Sequence, residues 1–253
     1  MKVTLLQTDI QWAQADKNIL QAEHLIAEQQ GSDLYVLPEM WSTGFATEPH
    51  HIAHEEHSNV VLEWMQDAAR RYQCAISGSV AVHLSDGTFR NRHYFVDGRA
   101  GQTSFYDKHH LFSYGHEDQY FSPGNDRLIV RYNGWRLLIL TCYDLRFPSW
   151  CRYTDGYEYD AIIIVANWPD SRQEAWQVLT RARAIENQCY LVGVNRVGDD
   201  AKCHYIGESV VVDVQGHVIA RCGDSQQALT ACLDKSDLDY RRSKFRVLDD
   251  RDA

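Results

Sequence analysis

The chain has 253 residues, 44% of them hydrophobic and 24% charged, which is the composition of an ordinary globular protein long enough to bury a sizeable core. Twenty-five basic residues against 35 acidic ones leave a formal charge of −10, a poor match for nucleic acid, which needs clustered Lys and Arg. No apolar window reaches the ~18 residues of a membrane-spanning helix, so no membrane contact is expected. Seven cysteines, an odd number with no Cys-x-x-Cys pair, argue against a disulfide framework or a zinc ribbon. With no signal-peptide pattern in Met1–Thr8, reduced thiols in a cytoplasmic protein are expected, with at most one or two chemically special.

In chain order, Lys2–Gln7 reads as a strand. Asp16–Gln29 carries Ile19, Leu20, Ala22, Ile26 and Ala27 at helical spacing, with Asp16 as N-cap and Gly31 as the stop. Asp33–Leu37 is a short apolar strand closed by Pro38. Asn59–Tyr72 places Val60, Val61, Trp64, Met65 and Ala68 on one helical face. Cys74–Val82 and Arg92–Val96 form a hairpin around Ser85-Asp86-Gly87, and Thr103–Tyr106 adds a strand. The connection Lys108–Asp126 fits neither strand nor amphipathic helix, and loops of that length in compact domains are often functional.

Leu128–Tyr132 and Trp135–Leu140 flank Asn133-Gly134, the signature of a type I′ hairpin. Asp160–Ala166 is continuously apolar, as in a strand buried on both faces. Gln173–Asn187 is a helix; Tyr190–Asn195, Gly207–Val214, Val218–Arg221 and Ala228–Leu233 are strands. Strands and helices alternate with hairpins mixed in, so an α/β fold with mixed sheets is expected, as one domain over residues 1–253. The charged tail Arg241–Ala253 reads as frayed or lying along a partner.

Three strand ends carry reactive side chains. The strand closed by Leu37-Pro38 stops at Glu39. The strand through Tyr106 stops at Asp107-Lys108. The strand through Leu140 stops at Thr141-Cys142 and turns toward a short helix. A cysteine at such a turn meets backbone N–H groups that lower a thiol's pKa and bind a developing oxyanion. The other six cysteines carry no comparable signal.

Leu37-Pro38-Glu39, Tyr106-Asp107-Lys108 and Cys142-Tyr143-Asp144-Leu145-Arg146-Phe147-Pro148 resemble, in that order, the three motif blocks of the nitrilase (carbon–nitrogen hydrolase) superfamily. The resemblance extends over nearly the whole chain, through Gly78-Ser79-Val80, Val165-Ala166-Asn167-Trp168-Pro169 and Arg181–Gln188. In detail it is similar to the bacterial omega-amidase branch. It implies a four-layer α-β-β-α sandwich with two mixed β-sheets and a homodimer formed through helices near the cysteine and the C-terminal region.

The resemblance also implies a Glu39–Lys108–Cys142 triad. Cys142 attacks an amide carbon, and Glu39 carries the proton to departing ammonia. Lys108 and the backbone N–H of Tyr143 hold the oxyanion. Glu117 is the family's second glutamate, expected to orient Lys108. A lowered thiol pKa is expected for a cysteine beside Lys108. The branch acts on small dicarboxylic acid monoamides such as 2-oxoglutaramate and 2-oxosuccinamate, whose carboxylate calls for a cation. Arg172 is the first candidate. Arg146 is the alternative, with pairing to Asp144 as its structural use. Trp41, Phe45, Phe112 and Trp168 flank the motifs as possible pocket walls or as core.

No metal or organic cofactor is expected, because thiolate, carboxylate and ammonium supply the chemistry. The cluster His50, His51, His54 and His57 reads as solvated or loop-capping, and a papain-like dyad from His109 or His110 is unnecessary. Other readings are a different amidase of the superfamily, such as one for deaminated glutathione, and a catalytically silent binding protein on the same fold.

Overall fold

A computed structural model describes residues 1–251. The chain begins with β1 (Lys2–Gln7), α1 (Ala15–Glu28), β2 (Leu34–Val36) and β3 (His54–Glu55). It continues through α2 (Val60–Tyr72), β4 (Ala75–His83), β5 (Phe89–Asp97) and β6 (Gln102–Asp107). Then follow β7 (Leu128–Tyr132), β8 (Trp135–Thr141), the short α3 (Pro148–Cys151), β9 (Ala161–Ala166) and α4 (Gln173–Glu186). The last elements are β10 (Tyr190–Asn195), β11 (Val197–Asp199), β12 (His204–Ile206), β13 (Val210–Val212), β14 (Val218–Arg221), β15 (Gln227–Cys232) and α5 (Lys235–Lys244).

These strands make two mixed sheets and one small hairpin. The first sheet runs β15-β1-β2-β4-β5-β6, with β3 added beside β4. The second runs β14-β13-β10-β9-β8-β7, and β11 pairs with β12. The inner faces meet through Val3, Leu5 and Val36 on one side and Leu137, Ile139, Ile163, Val165 and Val192 on the other. Each such side chain taken from water contributes about 1.5–3 kcal/mol, so this layer is the main source of stability. The α1 face of Ala22, Leu25 and Ile26 and the α2 face of Val61, Met65 and Ala68 cover the outside of the first sheet. Trp176 and Ala184 of α4 cover the second. The expected α-β-β-α order is therefore present.

Local chemistry accounts for most boundaries. Asn59 caps α2 by accepting the Leu62 N–H, and Gln73 ends it in the left-handed region. Asn133 and Gly134 have φ of 48° and 77°, as a type I′ turn requires. Asp16 is not the cap of α1: Gln14 holds that position, and Asp16 sits in the first turn, where its charge favours the helix N-terminus.

The charged tail also departs from expectation. Asp234 caps α5 by accepting the Ser236 and Asp237 N–H groups, and Leu238 is buried beneath it. Arg242 donates to Tyr159 O at 2.8 Å and Asp160 Oδ1 at 3.2 Å, so the segment is pinned to the second sheet rather than frayed. A further turn spans Val247–Asp250. Asp252 and Ala253 lie outside the described residues. The strand expected over Gly207–Val214 is shorter, and the β11–β12 hairpin before it stands apart from both sheets.

Candidate active site

Four loops converge at one edge of the sandwich. Glu39 follows β2, Lys108 follows β6, Cys142 follows β8 and Asn167 follows β9. Because β8 and β9 run parallel, their carboxyl ends deliver Cys142 and Asn167 to the same edge. The loop after β6 folds back so that Glu117 joins them.

Glu39, Lys108 and Glu117 are fully or almost fully buried and share one network. Lys108 Nζ donates to Glu39 Oε1 and to Glu117 Oε2, each at 2.8 Å. Asn91 Nδ2 donates to Glu39 Oε1 at 2.8 Å and to Glu117 Oε1 at 2.9 Å. The Asn167 N–H donates to Glu39 Oε2 at 2.9 Å, and the Asn167 side-chain amide to Glu39 O at 2.7 Å. The Phe112 N–H donates to Glu117 Oε2 at 2.7 Å. A lysine has three N–H donors, and two are spent on carboxylates, so one remains.

Cys142 stands in front of this network, 9% exposed, on a backbone with φ of 44°. A non-glycine residue in that region is held there by its surroundings. The holding group is the fully buried Asp144. It accepts from Thr141 N at 3.0 Å, Tyr106 Oη at 2.7 Å, His110 N at 3.0 Å and His110 Nδ1 at 2.9 Å. Arg183 ties down the next residue by donating twice to Leu145 O, at 3.0 and 2.7 Å. Behind the turn, His93 donates to Leu140 O at 3.0 Å and meets Ser77 Oγ at 2.8 Å. Burial pulls its pKa down to about 4, so it is a neutral tie between the two sheets.

The electrostatics correct one expectation. Cys142 is not a lowered-pKa thiol: burial, and then the negative charge of Glu39, push it well up against the pull of Lys108. Burial disfavours the Lys108 ammonium, but Glu117 and Glu39 outweigh it and hold the lysine charged. Glu117 is raised, by burial first, although Lys108 opposes the shift. The lysine's charge is thus neutralised by two carboxylates before it reaches sulfur.

A cleft of about 1430 Å³ opens in front of Cys142. Phe45, Phe112, Tyr143 and Trp168 line it, as do Arg146 and Arg172. The Arg146 guanidinium lies 4.7 Å from the Trp168 ring centroid, and that of Arg172 lies 5.2 Å from Phe112. Among the described residues, neither arginine has a carboxylate within salt-bridge distance. Arg146 does not pair with Asp144, whose oxygens are taken by Tyr106, His110 and the Thr141 backbone. Trp41 is not a wall of the cleft: it is core, packed against Trp64 at 5.2 Å between ring centroids.

His109 stacks on Trp150, and His110 bonds Asp144 and stacks on Phe147, so both brace the cysteine turn. In the histidine cluster, His54 bonds Ser42 and His50 packs edge-on against Phe89 and Tyr120. Two features were not foreseen from sequence: Asn91, and the β11–β12 hairpin, whose Lys202, Cys203 and Tyr205 line the mouth of the cleft. The hairpin carries no apolar periodicity. Asn91 falls just outside the strand expected at Arg92–Val96, which begins instead at Phe89.

The family model described as carbon-nitrogen hydrolase matches residues 2–242. The chain is 42% identical to the omega-amidase YafV of Escherichia coli K12, over 100% of this chain and 97% of that protein. It is 32% identical to a 2-oxoglutaramate amidase of Bacillus subtilis, over 98% and 96% of the two chains. A CN-hydrolase superfamily structure from Xanthomonas campestris, with an arsenic adduct in its active site, superposes at a TM-score of 0.95. It is 34% identical and covers 100% of this chain and 97% of its own.

Proposed function

Because the chain belongs to the carbon–nitrogen hydrolase family, we propose that it is an omega-amidase. It releases ammonia from the terminal amide of small dicarboxylic acid monoamides of the 2-oxoglutaramate or 2-oxosuccinamate type. The observation that carries the reading is a nucleophile at the floor of a cleft, backed by a buried acid–base network and fronted by two arginines with no carboxylate partner.

The raised thiol pKa sets the first step. Cys142 rests protonated, so Glu39 takes the proton as sulfur attacks the amide carbon. Glu39 Oε1 already accepts from Lys108 and Asn91, and Oε2 accepts only from Asn167 N, so Oε2 keeps a free lone pair for that proton. The carbonyl oxygen becomes an oxyanion. The unspent third donor of Lys108 and the N–H of Tyr143, in the first turn after the strand where backbone donors lack partners, bind it. The C–N bond then breaks as Glu39 returns the proton, and nitrogen leaves as ammonia. Water, deprotonated by Glu39, attacks the thioester. The C–S bond breaks, the proton returns to sulfur and the carboxylate product departs. Glu117 holds Lys108 in place throughout.

Arg172 and Arg146 supply the cation that a substrate carboxylate requires, with Phe45, Phe112 and Trp168 as apolar walls. A kcat/KM panel of short omega-amides, with and without the 2-oxo group and the distal carboxylate, tests the assignment. Preference for the carboxylate-bearing amides is expected; equal rates on neutral amides would contradict it.

We place the enzyme in the cytoplasm, since all seven cysteines are free thiols; no helix among the described residues is long and apolar enough to cross a membrane. We also propose a homodimer, supported by exposed apolar side chains on α4 (Val178 and Ile185) and in the C-terminal segment (Tyr240 and Phe245). Sedimentation as a monomer at micromolar concentration would overturn it.

A further inference from the structure

We infer that Asn91 is a positioning residue that holds Glu39, Glu117 and Lys108 in register, so that two buried carboxylates share one lysine and stay ready to accept a proton. The inference rests on the amidase reading above.

Asn91 is 1% exposed on β5 and touches each member of the network. Its single amide nitrogen has two hydrogens, and each goes to a different carboxylate, Glu39 at 2.8 Å and Glu117 at 2.9 Å. Its backbone carbonyl accepts the Lys108 N–H at 2.9 Å, fixing the base of the lysine side chain. Its own Oδ1 is buried with no hydrogen-bond partner. A buried amide oxygen left unpaired calls for a cause. Turning the amide over would aim that oxygen at two carboxylate oxygens, so the carboxylates dictate the orientation and Oδ1 is left unpaired.

The charge count gives the residue its task. Two carboxylates and one ammonium leave an excess negative charge in a site without water contact. Like charges so close push one carboxyl toward its protonated form. A neutral double donor placed between them lowers the repulsion without adding a second cation that would compete for the oxyanion. The titratable groups facing Asn91 are Glu39 from the loop after β2, Lys108 from the end of β6, Glu117 from the following loop and Cys142 from the end of β8. His93, two residues along on the same strand face, is neutral. Arg92, on the opposite face, pairs with Asp107 and Glu56.

The test compares wild type, Asn91→Leu and Asn91→Ser. Leucine keeps the branched side-chain shape and removes both donors; serine keeps one. Two pH profiles are read: kcat/KM for ammonia release, and the rate of Cys142 alkylation by iodoacetamide, which needs no substrate. Asn91→Leu is expected to lower kcat about 10²-fold, as for a small misplacement of reacting groups. It should also move the acid limb of the profile to higher pH, with serine between leucine and wild type. Wild-type kcat and limb position in a folded variant would overturn the inference, and so would a uniform loss with no limb shift. If leucine prevents folding, serine alone decides on the same limb shift. Failure of the amidase reading is distinguishable, because wild type itself would then release no ammonia while the alkylation profiles still differed or coincided.

Discussion

The Lys108 ammonium donates to Glu39 at 2.8 Å, so the positive charge that would favour a thiolate is offset by a carboxylate before any thiolate forms. The Cys142 thiol accordingly rests protonated and is activated only when Glu39 removes its proton.

Alkylation of Cys142 should therefore be slow at neutral pH and keep rising past pH 9. An activated resting thiolate would instead plateau near pH 6. The measurement is the iodoacetamide rate from pH 5 to 10, followed by mass spectrometry of the Cys142 peptide. An early plateau would show a resting thiolate and contradict the geometry.

Lys108→Met leaves Glu39 and Glu117 buried without their cation. Breaking a buried pair in this way costs about 3–5 kcal/mol. The sign of the pH dependence follows from Glu117, whose folded-state pKa is already raised and rises further without the lysine. A carboxyl raised in the folded state favours folding when protonated and disfavours it as pH climbs through the folded pKa. The Tm deficit of Lys108→Met should thus be largest at neutral pH and shrink on acidification. A deficit that is flat with pH would contradict the shared-charge account.

Arg172→Ala and Arg146→Ala separate binding from structure. Loss of a charge-assisted hydrogen bond costs about 1.5–3 kcal/mol, roughly a 10- to 10²-fold rise in KM. The arginine that binds the carboxylate should raise KM for acidic amides and leave neutral amides nearly unchanged. Equal effects on both substrates would assign that arginine to the wall of the cleft alone, stacked on Trp168 or Phe112.

The parts of this site legible in the sequence are those in which an apolar strand stops at a reactive side chain: Glu39, Lys108 and Cys142. Glu117 is marked only by the family resemblance, in a loop whose own pattern says no more than that it is neither strand nor amphipathic helix. Other parts depend on contacts between distant segments. Asn91 sits on a strand whose alternation gives no hint that its neighbours across space are two carboxylates. The resting state of Cys142 depends on Glu39 and Glu117 meeting the same lysine, which no local spacing shows. The segment from Arg241 reads as a loose tail because it is mostly charged, and the tie that holds it comes from Asp160, 82 residues before Arg242. Trp41 flanks the Glu39 motif yet turns inward onto Trp64, because the residues after Pro38 lie against β4.

Ammonia release from 2-oxoglutaramate or 2-oxosuccinamate by wild type and Cys142→Ala, assayed side by side, is the most direct test of the central claim. Turnover by wild type and its near-complete loss in a folded Cys142→Ala variant is the predicted result. Ammonia release by the alanine variant at a rate close to wild type would place the nucleophile elsewhere and contradict the account.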